Sequence, residues 1–173
     1  YHDIFDKLIN FIEKNNLKLD VKTKTIKSEG VKFKLPEKYD IEDNFAVDTY
    51  RIKDGIMVKK TKLIHPHLKS RKLIISNKSS FRGAFIDEGI LNLTGNHKFY
   101  ILDENLEIIL KILSFKISNI ISQFTKYGQD FLDKDAFSYI PDIRKLGIQD
   151  ITEKEFYKLI GFSDKDISII NKS

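Results

Sequence analysis

Between Leu106 and Phe124 apolar side chains recur at every third or fourth position: Leu106, Ile109, Leu110, Leu113, Ile117, Ile120, Ile121 and Phe124. That period belongs to a helix with one buried stripe, so the rest of the chain must supply a surface for the stripe to cover. Glu107, Lys111, Ser114, Ser118, Ser122 and Thr125 fall on the opposite side. Asp103 is the expected N-cap and Gly128 the expected C-cap, and Ser114–Phe115 marks a point where the helix can break.

The surface to be covered is expected to be a sheet. Short β-patterned runs occur at Val47–Lys53, Ile56–Lys60, Lys72–Ser76, Gly83–Ile86, Ile90–Leu93 and Phe99–Leu102. Asp54-Gly55 is a strong hairpin turn between the first two. Upstream, His2–Asn16 reads as an amphipathic helix. Val21–Ser28 and Val31–Leu35 read as a further hairpin that puts Lys22, Lys24, Lys32 and Lys34 on one face. Glu37–Asp43 reads as an acidic loop, and Ser76–Ser80 as polar and irregular. Near the end, Thr152 with Glu155 and Ser163 with Asp166 open two short helices, Thr152–Ile160 and Ser163–Ile170, in capping-box style. The whole reads as an α+β domain: a mostly antiparallel sheet with packed helices, closed by the C-terminal pair.

A chain of 173 residues fits a single domain, here residues 1–173, with 1–20 as a candidate linker helix from a domain outside it. Because the chain opens on Tyr1, it is expected to be a piece of a larger protein. There is no cysteine, hence no disulfide and no Cys-ligated zinc, which is compatible with the cytoplasm. No apolar run reaches the ~18 residues of a membrane helix, and no signal peptide is visible. The net charge is +5, but it is unevenly spread. From Arg51 to Arg82 ten Lys/Arg face one acid, Asp54, while the segments on either side are slightly negative. Such segregation is the footprint expected of a surface for a polyanion.

Catalytic signatures are missing. The three prolines, Pro36, Pro66 and Pro141, never adjoin, and no Gly-x-Gly occurs. Asp20-Val21-Lys22 is a chance-level match to a nuclease pattern. His65-Pro66-His67 lacks the partners a metal site needs, so no metal ligands are assigned. Walker, nucleophile-elbow and kinase patterns are also missing.

The C-terminal third contains Tyr139-Ile140-Pro141-Asp142-Ile143, followed by the two capped helices. In this order the pieces resemble the closing segment of the target recognition domain of N6-adenine-specific DNA methyltransferases of restriction–modification systems. There an aromatic–Ile/Leu–Pro–x–Ile/Leu phrase precedes a pair of short helices. The resemblance runs from about Lys72 to Ile170, through the strand Lys72–Ser76, a variable loop, two further strands and the helix part Leu113–Phe124. The chain departs from it where Asp130, Asp133 and Asp135 precede the Pro phrase. The resemblance implies a domain that reads duplex DNA while a separate catalytic domain binds S-adenosylmethionine and methylates adenine. That domain would carry the Asn/Asp-Pro-Pro-Tyr/Phe loop and glycine-rich cofactor loop, so this chain is expected to hold no cofactor and to transfer no methyl group by itself.

On this reading Lys59, Lys60, Lys62, His65, His67, Lys69 and Arg71 are candidate phosphate contacts. The loop Asn77, Lys78, Ser79, Ser80, Arg82 is the first candidate for reading bases, since Arg suits guanine and Asn adenine. Lys126 and Tyr127 open a second candidate loop. The partners expected are double-stranded DNA and the catalytic domain of the same protein, with no membrane. The alternatives are a specificity subunit of a multi-subunit restriction enzyme, a basic protein-interaction module without DNA specificity, and a divalent-metal nuclease.

Overall fold

The computed structural model describes residues 1–78, 80–95, 98–125 and 132–173. In chain order the elements are α1 (His2–Asn15), β1 (Phe33–Lys34), β2 (Phe45–Arg51), β3 (Gly55–Lys60), β4 (Lys72–Ser76), β5 (Ala84–Asp87), β6 (Asn92–Leu93), β7 (Lys98–Ile101), α2 (Leu106–Leu113), α3 (Lys116–Phe124), α4 (Glu153–Ile160) and α5 (Asp164–Asn171). Short 3-10 turns lie at Ile41–Asp43, Phe81–Gly83, Lys134–Tyr139 and Ile143–Leu146. The strands form a four-stranded sheet, β1-β3-β2-β6, and a three-stranded sheet, β5-β4-β7. All pairings between these strands are antiparallel except β2 with β6. The fold is α+β, with a mostly antiparallel strand arrangement and the C-terminal helices packed on it.

Strand alternation produces three layers. In β4, Leu73 and Ile75 join a large core shared with the helices, while Ile74 points into a smaller core with Phe45, Val47 and Val58 of the other sheet. In β7, Phe99 and Ile101 face the helices and Tyr100 faces the second sheet. The three-stranded sheet is therefore buried on both faces, between helices on one side and the four-stranded sheet on the other. This accounts for the near-continuous apolar reading of Leu73–Ile75, which fits two-sided burial better than simple alternation.

The β2–β3 hairpin forms where expected, but its turn is Ile52–Asp54 rather than Asp54-Gly55: β2 ends at Arg51, which pairs with Gly55 at the start of β3. Its register shifts between Val47 and Thr49, so Asp48 is an extra residue in β2. The hairpin expected upstream does not form. Residues 21–26 instead make isolated bridges, Lys22 to Tyr100 and Ile26 to Thr94, while Phe33–Lys34 pairs with β3. Lys22 exchanges backbone hydrogen bonds with Tyr100, and Ile26 N–H donates to Leu93 O, pairings with distant strands that local turn chemistry cannot foresee.

The long apolar stripe divides into α2 and α3. Phe115 takes extended dihedrals (φ −70, ψ 154) and buries its ring against Phe156 at 5.6 Å. Leu106, Ile109, Leu113, Ile117, Ile120 and Ile121 are core residues as expected, but Phe124 is 59% exposed. Ser118 and Ser122, expected on the polar face, are buried. The Ser118 hydroxyl donates to Ile112 O at 2.6 Å and the Ser122 hydroxyl to Asn119 O at 2.8 Å, which offsets their burial. Asp103 is not the cap. Asn105 occupies that position in a left-handed conformation without a side-chain bond. Gly128 lies outside the described residues.

Both C-terminal capping boxes form, on Thr152/Glu155 and Ser163/Asp166. The start of α3 is capped from α4: Ile117 N–H donates to the Tyr157 hydroxyl at 3.2 Å and Lys116 N–H to Glu153 Oε1 at 3.1 Å. The phrase Tyr139–Ile143 is a clasp. Asp142 N–H donates to Leu17 O at 2.8 Å, just beyond α1, and the Asp142 carboxylate holds the Arg144 guanidinium. Arg144 then donates to Leu102 O and Glu104 O beyond β7.

Candidate nucleic-acid interface

The basic block does not form one uniform surface. Arg71 is pinned by Glu88 at 2.9 Å and by Glu107, so its charge is matched by acids from outside the block. Lys72 is fully buried. Its ammonium donates to Asp87 Oδ2 at 2.6 Å and to the carbonyls of His67, Leu68 and Ser70 at 3.0–3.2 Å. Burial pushes the Lys72 ammonium down, and Asp87 opposes that shift. Asp87 also accepts Ile90 N–H and Leu91 N–H, each at 3.2 Å. Beside it Gly89, at φ +96, approaches Lys69 O so closely that a Cβ would lie 2.5 Å from it. This cluster holds the 65–70 segment against the turn after β5.

His65, expected at the DNA face, is 1% exposed. Its Nδ1 accepts His67 N–H at 3.0 Å, so Nε2 carries the proton and donates to Lys24 O at 2.7 Å. Its backbone N–H donates to Asn92 Oδ1 at 2.7 Å, and its ring sits edge-on to Tyr100. Burial holds the imidazole below its ordinary range, with the nearby His67, Lys72 and Lys24 adding to that and the Lys24 carbonyl opposing it. This imidazole ties the chain together and does not reach solvent. Asn77 is buried too, and its carbonyl accepts Leu132 N–H. His67 is half-buried beside Tyr100, with Nδ1 3.4 Å from Ser70 Oγ. Ser80 is half-buried and caps the turn Phe81–Gly83 through Arg82 N–H. Ser79, Lys126 and Tyr127 lie outside the described residues.

The exposed cations of the block are Arg51, Lys53, Lys60, Lys62, Lys69, Lys78 and Arg82; Lys60 and Lys62 line one groove and Arg82 another. The first is a pair of adjoining hollows of about 770 and 520 Å³, which share Lys27 and Glu29. Lys60, Lys62 and Asp43 line one hollow, and Lys59, Asp48 and Gly95 the other. Lys59 stands 3.6 Å from Asp48. Just beneath lies Lys98, 3% exposed, with its ammonium on Thr94 O. Burial brings Lys98 down to about 8, opposed by Asp48 and reinforced by Lys78 and Lys59.

The second groove runs along the helical layer. Arg82 and Phe81 line both of its parts, about 190 and 500 Å³, together with Ser114. Lys116 and Asn119 border one part, and Ile52, Glu107 and Lys111 the other. Lys27, Lys98, Ile52, Lys116 and Asn119 were not legible as site residues in the sequence. The sequence reading placed Ile52 in a strand, Val47–Lys53, and only the structure puts it in the turn between Arg51 and Lys53.

Among the described residues no group of three or more His, Asp or Glu is placed to hold a metal ion. Among them, too, no helix is long and apolar enough to cross a membrane. The chain matches no family model, no curated protein and no solved structure.

Proposed function

We propose that this chain is the DNA target recognition domain of an S-adenosylmethionine-dependent, adenine-specific methyltransferase, either free-standing or fused to a nuclease. The catalytic domain is a separate unit of the same protein, working in the cytoplasm. The observation that carries this reading is the row of Lys27, Lys59, Lys60 and Lys62 along the two adjoining hollows of one groove. A ridge of ammonium groups of that kind suits phosphates, which fix register without reading sequence. The groove at Arg82, with Asn119 along it, supplies donors suited to base edges. The order of the pieces from Lys72 to Ile170 agrees with this assignment.

A second reading, a protein-binding module, is favoured by the exposure of Val31 (87%), Ile64 (70%) and Leu63 (51%), of which Leu63 lines the lysine groove. The experiment that separates the two is selection from a library of randomised duplexes, followed by competition with scrambled DNA. Enrichment of one sequence, bound more tightly than its scrambled form, supports the DNA reading. Binding without sequence preference supports the protein module with an incidental basic surface. Restoration of methylation at that same sequence, when the chain is joined to its catalytic domain, tests the remainder.

A further inference from the structure

We infer that the tip of the β2–β3 hairpin is a wedge for duplex DNA. Ile52 enters between base pairs, and Arg51 and Lys53 contact the phosphates on either side. The inference rests on the DNA-binding reading above and deepens it.

The hairpin reverses through Ile52, Lys53 and Asp54, closed by Asp54 N–H donating to Arg51 O at 3.1 Å. Gly55, at φ +73, returns the chain to β3. Short connections of this kind are ordinarily filled by Gly, Pro, Asn, Asp or Ser, each of which eases the turn. Asp54 and Gly55 follow that rule; Ile52 breaks it. Its β-branched side chain is 66% exposed, so it gains neither burial nor turn chemistry. Departures from local folding rules concentrate where a protein contacts something else.

Two observations direct the tip towards nucleic acid. Arg51 and Lys53, the immediate neighbours of Ile52, are both exposed. Ile52 also lines the same groove as Arg82, so an apolar point and a guanidinium border one concavity, with Phe81, Ala84 and Leu110 between them as apolar lining. The acid in that groove, Glu107, is engaged by Arg71. An apolar residue flanked by cations is the arrangement by which proteins part a base step while neutralising the phosphates beside it. The base of the hairpin is firm, because Tyr50 packs on Phe85 of the three-stranded sheet at 5.4 Å. A wedge needs such support to transmit force to a stacked duplex.

The test uses the chain with the duplex it selects from a randomised library. That duplex carries a fluorophore pair at its ends, to report bending, and 2-aminopurine at each step in turn, to report unstacking. The wild-type chain is expected to bend the duplex and to raise 2-aminopurine fluorescence at one step. Ile52→Ala is expected to lose both signals and to bind at least about tenfold more weakly. Ile52→Leu retains them. The melting temperatures of both variants stay at the wild-type value, because the side chain is not part of the core. If a sequence is selected but no step unstacks, or if Ile52→Ala binds and bends as the wild type does, the wedge is overturned and the DNA reading stands. If the wild type selects no duplex at all, both fall.

Discussion

At the scale of single residues, the informative side chains are the charged and polar ones drawn inside. Lys72 and Asp87 form a buried pair whose remaining hydrogen-bonding capacity is met by backbone groups. Removing one partner leaves a charge with no counterpart in a low dielectric. Asp87→Asn is therefore expected to destabilise the chain by about 3–5 kcal/mol in urea unfolding. The double replacement Lys72→Met with Asp87→Leu should lose less than that single change, and a larger loss would show that the pair itself is worth keeping. His65 behaves oppositely to a solvent histidine. Its Nδ1 must stay unprotonated to accept His67 N–H, so the folded form binds a proton less readily than the unfolded chain. Its contribution is full above the unfolded value of about 6.5 and is lost as pH falls through the lowered folded value. Melting temperature should fall between pH 7 and 5 in the wild type. His65→Gln should lower stability at pH 7 but flatten that fall, and an equal slope in the two proteins would assign the acid sensitivity to other groups.

At the scale of elements, α3 depends on α4 for its first turn. Nothing near its N-terminus in sequence supplies a cap, and Phe115 makes no side-chain cap bond. The Tyr157 hydroxyl fills that role: it accepts Ile117 N–H and donates to Glu153, and burial with this carboxylate raises its pKa. Tyr157→Phe keeps the ring and removes the acceptor. A loss of about 1–2 kcal/mol is expected, the cost of an unsatisfied amide at a helix start. Hydrogen exchange should speed up at Ile117 while the amides of α4 remain protected. Unchanged protection at Ile117 would mean that water replaces the hydroxyl.

At the scale of the whole molecule, charge is sorted by folding. Part of the basic block is neutralised within the fold, by Asp48, Asp87, Glu88 and Glu107. Of the cations that remain exposed, Lys60 and Lys62 line the lysine groove, Arg51 and Lys53 flank the hairpin tip and Arg82 lines the helical groove, with Lys69 and Lys78 outside these. If the lysine groove carries the phosphates, log K for duplex DNA falls against log salt with a slope of about −0.9 for each phosphate contacted. Replacing Lys60 and Lys62 by Ala should flatten that slope and weaken all sequences alike, as measured by fluorescence anisotropy across a salt series. A slope equal to the wild type would move the phosphate contacts to the Arg82 groove.

Local patterns carried much of this architecture. The stripe Leu106–Ile121, the presence of the β2–β3 hairpin, the strand Lys72–Ser76 and the two capping boxes were legible because each depends on residues within a turn or two of one another. Composition likewise placed the charge in the middle of the chain. Tertiary structure alone decided the rest. It drew residues 21–26 into bridges with distant strands and buried His65 and Asn77. It also buried Lys98 with its ammonium on Thr94 O. Those outcomes depend on partners far along the chain: a carbonyl at Lys24, an amide at Leu132 and a carboxylate at Asp48. Sequence periodicity fixes which face of an element is apolar. Whether a polar side chain is drawn inward depends on which distant groups meet it there, because an unpaired polar group is too costly to bury.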